Sequence, residues 1–243
     1  MKTFIKEFRE RCNDVHDYLN LLEFMDSIAT NKCKPLKNES HEGNAISYLP
    51  NRECQKILRA IFYLVLYNLV ESTINTIISV FKDTINDESI PLTQLDTRVI
   101  HLDIEGRFKD VTSQQTMSRI GKDLMQRVLN NEPVLLDKMA FNTSGNVDYD
   151  NFQKIVGRIG CIGRVCIDKN KIRKAMERTK NHRNKLTHGN WSFSTAGSML
   201  VISEIKEDYE CIVDFLTQSL DNFEIFIDNK KYLKGVSNTA PIS

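Results

Sequence analysis

Residues 60–70 read AIFYLVLYNLV and form the most apolar stretch of the sequence. A helix that crosses a bilayer needs about 20 apolar residues, whereas this stretch runs on into Glu71 and Asn75. We therefore interpret it as part of a helix over residues 52–84 that is apolar almost all round, as expected at the centre of a core. A central helix of this kind predicts an all-α fold.

Other helices are predicted from apolar residues that recur at spacings of three and four. Ser113 is a candidate N-cap for one of them, and Gly189 is a natural terminator for the helix that precedes it. Residues 86–112 are ambiguous in this respect, and TRVIHLDI at residues 97–104 could form a short strand. The predicted helices cover residues 3–30, 113–130, 151–160, 168–187 and 201–232, and the predicted loops cover residues 33–51, 131–150 and 190–200.

These elements predict one domain over residues 1–243, a helical bundle of four or five long helices with irregular insertions. The core bundle is expected over residues 52–232, with an extra N-terminal helix in residues 1–35 and a flexible tail at residues 234–243. Only 10 Gly and 5 Pro occur in 243 residues. This scarcity excludes collagen-like and linker-dominated chains and favours long helices.

The N-terminus and the cysteines point to the cytoplasm. Charges recur every few residues in MKTFIKEFRERC, so no apolar core of a signal peptide is present there. The 6 cysteines form no CxxC pair, and no second Cys/His pair lies near Cys161 and Cys166 to complete a zinc signature. We expect reduced thiols, no bound metal and no association with a membrane.

The helix predicted at residues 168–187 carries an arginine where its apolar pattern asks for a core residue. Its inward stripe runs through Ile172, Met176 and Thr179 to Arg183, with His182 beside it, and then to Leu186. Burying an unpaired guanidinium is costly. Arg183 therefore needs a partner, or the stripe faces a cleft or another subunit.

A carboxylate on the central helix is the candidate partner. Asn68, Glu71 and Asn75 fall on one narrow face of that helix. A carboxylate between two carboxamides inside a core needs a cation or hydrogen-bond donors, and Arg183 is the candidate that we choose. The alternative is that this face meets solvent or that Glu71 pairs with another base.

Positive charge is concentrated around the same helix. Residues 154–190 contain eleven Lys or Arg and two acidic residues, a net charge of nine in a chain whose total is +1. A basic patch on a nearly neutral protein is the electrostatic footprint of a polyanion site. The alternative is an ordinary solvated helix face.

The segment Arg183-Asn184-Lys185-Leu186-Thr187-His188 fits the R-polar-x3-H signature of the HEPN superfamily. Residues 183–193, RNKLTHGNWSF, resemble the "RN-x-L-x-H-G-x-x-S-F" block of the MAE-type HEPN-like nucleases. Residues 145–148 and 152–160 resemble the lead-in of that group, and residues 67–71 resemble its first core helix. The resemblance covers roughly residues 55–232. Thr187 stands where a small Ala is common, and residues 86–140 match loosely.

The resemblance implies a bundle that dimerises with two Arg/His motifs facing each other. In active relatives that cleft cuts RNA without a metal ion or cofactor, and many relatives are toxins of toxin–antitoxin pairs or antiphage effectors. By this resemblance His188 is a general acid or base and Arg183 holds the phosphate. The supporting residues would be Asn184 and Glu71, and the residues that hold flanking phosphates would be Lys180, His182 and Lys185.

A second interpretation is a non-catalytic HEPN-like module. Its basic helix would bind nucleic acid, a nucleotide or a partner protein such as an antitoxin. Arg183 would then be the structural ion-pair partner of Glu71. The position of His188 separates the two interpretations, since an imidazole packed in its own core would weaken the nuclease hypothesis.

Overall fold

The apolar stretch at residues 60–70 lies in the middle of the longest helix of a computed structural model. That model describes residues 2–30, 36–38, 46–48, 51–109, 111–136, 146–161 and 163–236. The helices are α1 (Thr3–Thr30), α2 (Arg52–Asp87), α3 (Thr97–Phe108), α4 (Gln114–Leu129), α5 (Tyr149–Ile159), α6 (Lys169–Thr187), α7 (Phe193–Ser198) and α8 (Ile202–Asp228). A 3₁₀ turn spans Leu92–Gln94. The predicted all-α bundle is confirmed.

α2 is a buried core helix over most of its middle. Phe62, Tyr63 and Leu66 are fully buried, and Tyr67 is 2% exposed. Among the described residues α2 is the one helix whose length and composition would allow it to cross a membrane, with a window of mean hydropathy 1.4 that is 50% buried inside the protein. This burial agrees with the prediction of a central helix.

Contacts divide the chain into two compact units. The first comprises residues 1–70 and 168–214, and the second comprises residues 71–167 and 215–243. The first unit contains α1, α6, α7 and the N-terminal parts of α2 and α8. The prediction of a single domain over residues 1–243 stays a prediction.

The first unit packs α1 and α6 with α2 and α8 through apolar stripes. Tyr18 on α1 donates a hydrogen bond to the Leu58 carbonyl at 2.8 Å, and its ring stacks with Phe62 at 6.0 Å. Arg59 on α2 pairs with Asp26 near the end of α1. The residues of α1 that are buried in the core of the first unit are Phe4, Ile5, Phe8, Val15, Leu19, Leu22, Met25 and Ile28.

The second unit has its own aromatic core. Phe152 on α5 lies edge to face with Phe215 at 5.1 Å, and Phe226 lies against Phe81 at 6.2 Å. α5 is preceded by the N-cap Asp148 and followed by the C-cap Gly160, whose φ of 93° lies in the left-handed region that favours glycine. The helices of this unit, besides the later parts of α2 and α8, are α3, α4 and α5.

Three predictions about local structure are wrong. Residues 97–104 form the first part of α3, because Asp96 caps the helix by accepting from the Arg98 amide, and the buried positions Val99 and Leu102 follow a helical spacing. Residues 193–198 form α7 rather than loop, since Ser192 accepts from the Thr195 amide. Inside the predicted loop at residues 33–51, two strands, β1 (Leu36–Asn38) and β2 (Ile46–Tyr48), pair antiparallel.

Other boundaries agree closely with the sequence. Ser113 caps α4 as predicted, α1 spans Thr3–Thr30, and α6 ends just before Gly189. α8 ends at Asp228, before the predicted residue 232. Part of the predicted loop at residues 131–150, and most of the predicted tail, lie outside the described residues.

Candidate active site

α6 forms because its first turn is capped and one side of it is apolar. The Asp168 side chain accepts from the Asn170 amide at 2.7 Å and the Lys171 amide at 3.3 Å. Such a cap satisfies amides that the helix itself leaves free. The buried residues of α6 are Ile172, Ala175, Met176, Thr179, His182 and Leu186.

The inward stripe of α6 passes through His182, whereas Arg183 lies at its edge. The step from Thr179 to His182 is three residues and the step to Leu186 is four, so all three share one face. His182 is 8% exposed, whereas Arg183 is half-buried. The prediction that Arg183 occupies the stripe is therefore wrong by one position.

The Arg183 guanidinium contacts an aromatic ring and a neighbouring amide. Its central carbon lies 4.8 Å from the centroid of the Tyr67 ring on α2. Its Nη1 donates to Asn184 Oδ1 at 2.9 Å. A planar cation on a ring face is stabilised by the ring quadrupole, so the side chain is oriented before any ligand arrives. The motif residues Arg183 and Asn184 are thus brought together.

The expected pairing of Arg183 with Glu71 stays a prediction. Glu71 is half-buried, and the two residues belong to different units. Asn68 and Asn75, which share its face of α2, are exposed. The solvent-facing alternative therefore holds for these two carboxamides.

His188 lies at the C-cap of α6 and its side chain is exposed. Its amide donates to the Asn184 carbonyl at 3.0 Å, and the chain then turns at Gly189, whose φ is 70°. Five residues of helix correspond to a rise of about 7.5 Å and a rotation of about 140°. Arg183 and His188 therefore leave the end of α6 on different sides, and the imidazole is not packed in the core.

The sequence model of the MAE_28990-like HEPN family matches residues 1–232. The chain belongs to that family. The match begins at residue 1, so it includes α1 and extends beyond the resemblance at residues 55–232. No curated protein and no solved structure gives a significant match. Membership of the HEPN superfamily indicates a nuclease-like or nucleotide-binding module.

His182 of this HEPN module is enclosed by two aromatic rings. Its imidazole stacks on Tyr63 with centroids 4.7 Å apart and meets Trp191 edge to face at 5.4 Å. Burial lowers the pKa of His182, and the positive charges of Arg178 and Lys185 lower it further. Its Nδ1 is buried without a hydrogen-bond partner. The ring is therefore largely enclosed, and its expected role in holding a flanking phosphate stays a prediction.

The solvent-facing side of α6 is strongly cationic. The helix carries eight Lys or Arg and a single acidic residue, Glu177. Lys180 is half-buried, and Lys185 is exposed with its Nζ 3.8 Å from the centroid of the Trp191 ring. The basic residues of the segment before Asp168 belong to the other unit, so the patch that can be described is that of α6 alone.

A buried carboxylate beneath α6 was not anticipated from the sequence. Asp208 on α8 is 6% exposed and accepts from the Tyr63 hydroxyl at 2.7 Å. Burial raises its pKa to about 6, against the opposing effects of the Tyr63 hydrogen bond and the Arg178 charge. Arg178 Nε lies 3.5 Å from Asp208 Oδ2. Tyr63 lies in an apolar stretch, whereas Asp208 stands between Glu207 and Glu210, so no apolar run in the sequence marked this pair.

Among the described residues, no group of three or more His, Cys, Asp or Glu could hold a metal ion. The groups found near the C-terminal end of α6 are instead a guanidinium, a carboxamide, an exposed imidazole and two aromatic rings. Such groups can bind a phosphate and move protons near neutral pH.

Proposed function

We propose that this HEPN chain is a metal-independent endoribonuclease that acts as a homodimer. The observation that carries the proposal is the exposed imidazole of His188 at the end of α6, on the same helix end as the oriented guanidinium of Arg183. A core histidine would have pointed to a structural motif. An exposed one next to a cationic helix face is available to a polyanion.

The reaction needs a base, an acid and a cation. A base removes the proton of the ribose 2′-hydroxyl, the 2′-oxygen attacks the phosphorus, and an acid protonates the departing 5′-oxygen. The products are a 2′,3′-cyclic phosphate and a 5′-hydroxyl end. Imidazoles serve as base and acid near neutral pH, and an arginine that stays protonated stabilises the charge on the phosphorane.

Two copies of the motif supply the groups that one copy lacks. One chain offers one exposed imidazole at this helix end, whereas general base and general acid act in the same step. An isologous twofold contact through the helix that bears Arg183 and His188 brings a second imidazole and a second guanidinium to the cleft. Asn184 orients the guanidinium to which it is bonded.

RNA is the substrate that the charge of α6 favours. Lys180 and Lys185 lie on the helix that carries the motif, and cationic side chains bind the phosphates on either side of the cleaved bond. Glu71 is proposed as a supporting residue. The biological setting that we propose is a cytoplasmic toxin or antiphage effector, controlled by an antitoxin or another defence protein and not attached to a membrane.

Cleavage of single-stranded RNA in EDTA tests the proposal. We expect the wild-type protein to cut and to leave 2′,3′-cyclic phosphate ends. His188→Ala and Arg183→Ala should each lower the rate by about 100-fold or more, because general acid–base and electrostatic groups contribute factors of this size. His101→Ala and Arg119→Ala replace exposed residues elsewhere and serve as matched controls.

Equal cutting by all of these proteins would contradict the roles of Arg183 and His188. Absence of cutting by the wild type would contradict the enzyme itself. In cells, induced expression should be toxic, and His188→Ala should relieve the toxicity.

A non-catalytic HEPN module is the second candidate. The contacts of Arg183 with Tyr67 and Asn184 favour it, because they give the guanidinium a structural role without a substrate. RNA binding that is measurable by anisotropy, with no cleavage by any variant, would select this function.

A further inference from the structure

We propose that Trp191 is a positioning residue for His188, fixed in place by His182 and Lys185. These three residues are called here the Trp191 clamp. The inference rests on the proposed function, because it states how the exposed imidazole of the cleft is held. Trp191 itself does not touch the substrate in this proposal.

Two ring contacts hold the indole, and a third holds His182. His182 meets it edge to face at 5.4 Å, and the Lys185 ammonium lies over its face at 3.8 Å. His182 is in turn stacked on Tyr63 of α2, a fully buried residue. Contacts between aromatic rings and between a cation and a ring are both stabilising. The indole therefore connects the end of α6 to the core.

Apolar packing also holds the same ring. Trp191 packs against the cluster formed by Ala60 on α2, Leu186 on α6 and Ala196 on α7. The half-buried indole thus lies against a cluster to which three helices contribute. A residue held in this way is a rigid point in a segment that otherwise consists of exposed residues.

The backbone transmits this constraint to His188. The amides of Asn190 and Trp191 both donate to the Lys185 carbonyl, at 2.9 and 3.2 Å. Gly189 stands between them and His188 in the left-handed region, which closes the turn. Because the His188 side chain is exposed, its place depends on this turn rather than on packing. Anchoring Trp191 therefore fixes the backbone from which the imidazole projects.

Because His182 Nδ1 has no hydrogen-bond partner, substitutions of His182 can test the ring contacts of the Trp191 clamp without breaking a hydrogen bond of that atom. Burying a polar atom without a partner is destabilising, whereas phenylalanine keeps a flat ring against Tyr63 and Trp191 at no such cost. His182→Phe should preserve the clamp, and His182→Ala should open it. In the same way Trp191→Phe preserves a ring, and Trp191→Ala removes it.

Steady-state cleavage kinetics test the positioning role. We expect Trp191→Ala and His182→Ala to lower kcat by between about 10- and 100-fold with little change in KM, since a displacement of about 1 Å costs this much. Trp191→Phe and His182→Phe should recover most of the rate. Phe24→Ala removes an exposed aromatic ring of α1 and is the control. Equal kcat for Trp191→Ala and the wild type would overturn the proposal.

Hydrogen exchange in the absence of RNA tests the clamp independently of cleavage. Trp191→Ala should speed exchange of the Asn190 amide, whereas Trp191→Phe should leave it protected. Unchanged exchange in Trp191→Ala would overturn the clamp even if the wild-type protein cuts RNA. If the wild type does not cut, the proposed function fails and this measurement alone decides whether the turn is anchored.

Discussion

His182 and Arg183 differ by one position along α6, which is about 100° around the helix. From the sequence, both side chains border the inward stripe, and the apolar pattern does not say which enters the core. The structure buries the imidazole, because an uncharged ring can stack on Tyr63 at far lower cost than a guanidinium can be desolvated. Arg183 instead reaches the ring of Tyr67 from the edge of the stripe.

The motif itself could be found from the sequence, because all of its residues lie within the short segment 183–188. Arg183 and Asn184 lie near the C-terminal end of α6, and His188 is its C-cap. Tyr67, Tyr63 and Trp191 could not be assigned to the site, because their contacts depend on how α2 packs against α6. Sequence spacing within one helix carries no information about such contacts.

His182 makes the stability of the protein depend on pH. Its folded pKa lies below the ordinary value of 6.5, so the unfolded chain binds more protons there and stability falls as the pH drops below 6.5. His182→Phe removes this contribution. We expect the free energy of unfolding of the wild type to fall relative to that of His182→Phe between pH 6.5 and the lower folded pKa. Urea titrations at several pH values measure it.

Asp208 acts in the opposite direction, since its raised pKa of about 6 makes its ionised form unfavourable in the folded protein. This contribution is common to the wild type and His182→Phe, so the difference between them isolates His182. A constant difference across this pH range would show that His182 does not carry the effect. Trp191, the single tryptophan of the chain, provides the fluorescence signal for both proteins.

At the scale of elements, long helices were predictable and short ones were not. A helix with many turns shows its apolar spacing over several repeats, and its bounds can then be predicted from the sequence. This holds for α1, α2, α4 and α6. α7 has 6 residues, and its position depends on packing against the start of α2 rather than on periodicity. Four of the eight residues of TRVIHLDI are β-branched, which permits a strand, whereas the N-cap Asp96 begins the helix α3.

The close approach of α7 to α2 gives a test of this packing. A Cβ atom at Gly197 would lie 1.7 Å from the Lys56 carbonyl oxygen. Gly197→Ala therefore forces α7 away from α2, and we expect it to lower the free energy of unfolding by about 1–3 kcal/mol. Chemical denaturation with circular dichroism measures the change.

Gly121→Ala is the matched control for this substitution. Gly121 lies within α4, where an added Cβ has no atom within 4 Å. Alanine there should stabilise the helix by about 0.5–1 kcal/mol. Equal effects of the two substitutions would mean that the contact between α7 and α2 is not as close as described.

At the scale of the whole molecule, the near-zero net charge of the chain conceals a cationic helix. The total is +1, whereas α6 alone carries eight Lys or Arg against one Glu. Charge counting along the sequence predicted this segment correctly. It could not show which of the basic residues share a surface, because that depends on the division of the chain into two units.

The family match over residues 1–232 agrees with the helical fold of the described residues. It does not specify the reaction, since HEPN modules include both nucleases and non-catalytic domains. The distinguishing feature of the proposal is that the cleft needs two chains. A chain that acts alone and a chain that acts in a pair respond differently when active and inactive copies are mixed.

Subunit mixing tests this central claim most directly. Wild-type protein is mixed with increasing amounts of His188→Ala at constant total concentration and allowed to exchange, and RNA cleavage is measured in EDTA. The proposed twofold cleft predicts that the rate falls with the square of the wild-type fraction, because mixed pairs lack one imidazole. A rate that falls in simple proportion to the wild-type fraction would contradict the account.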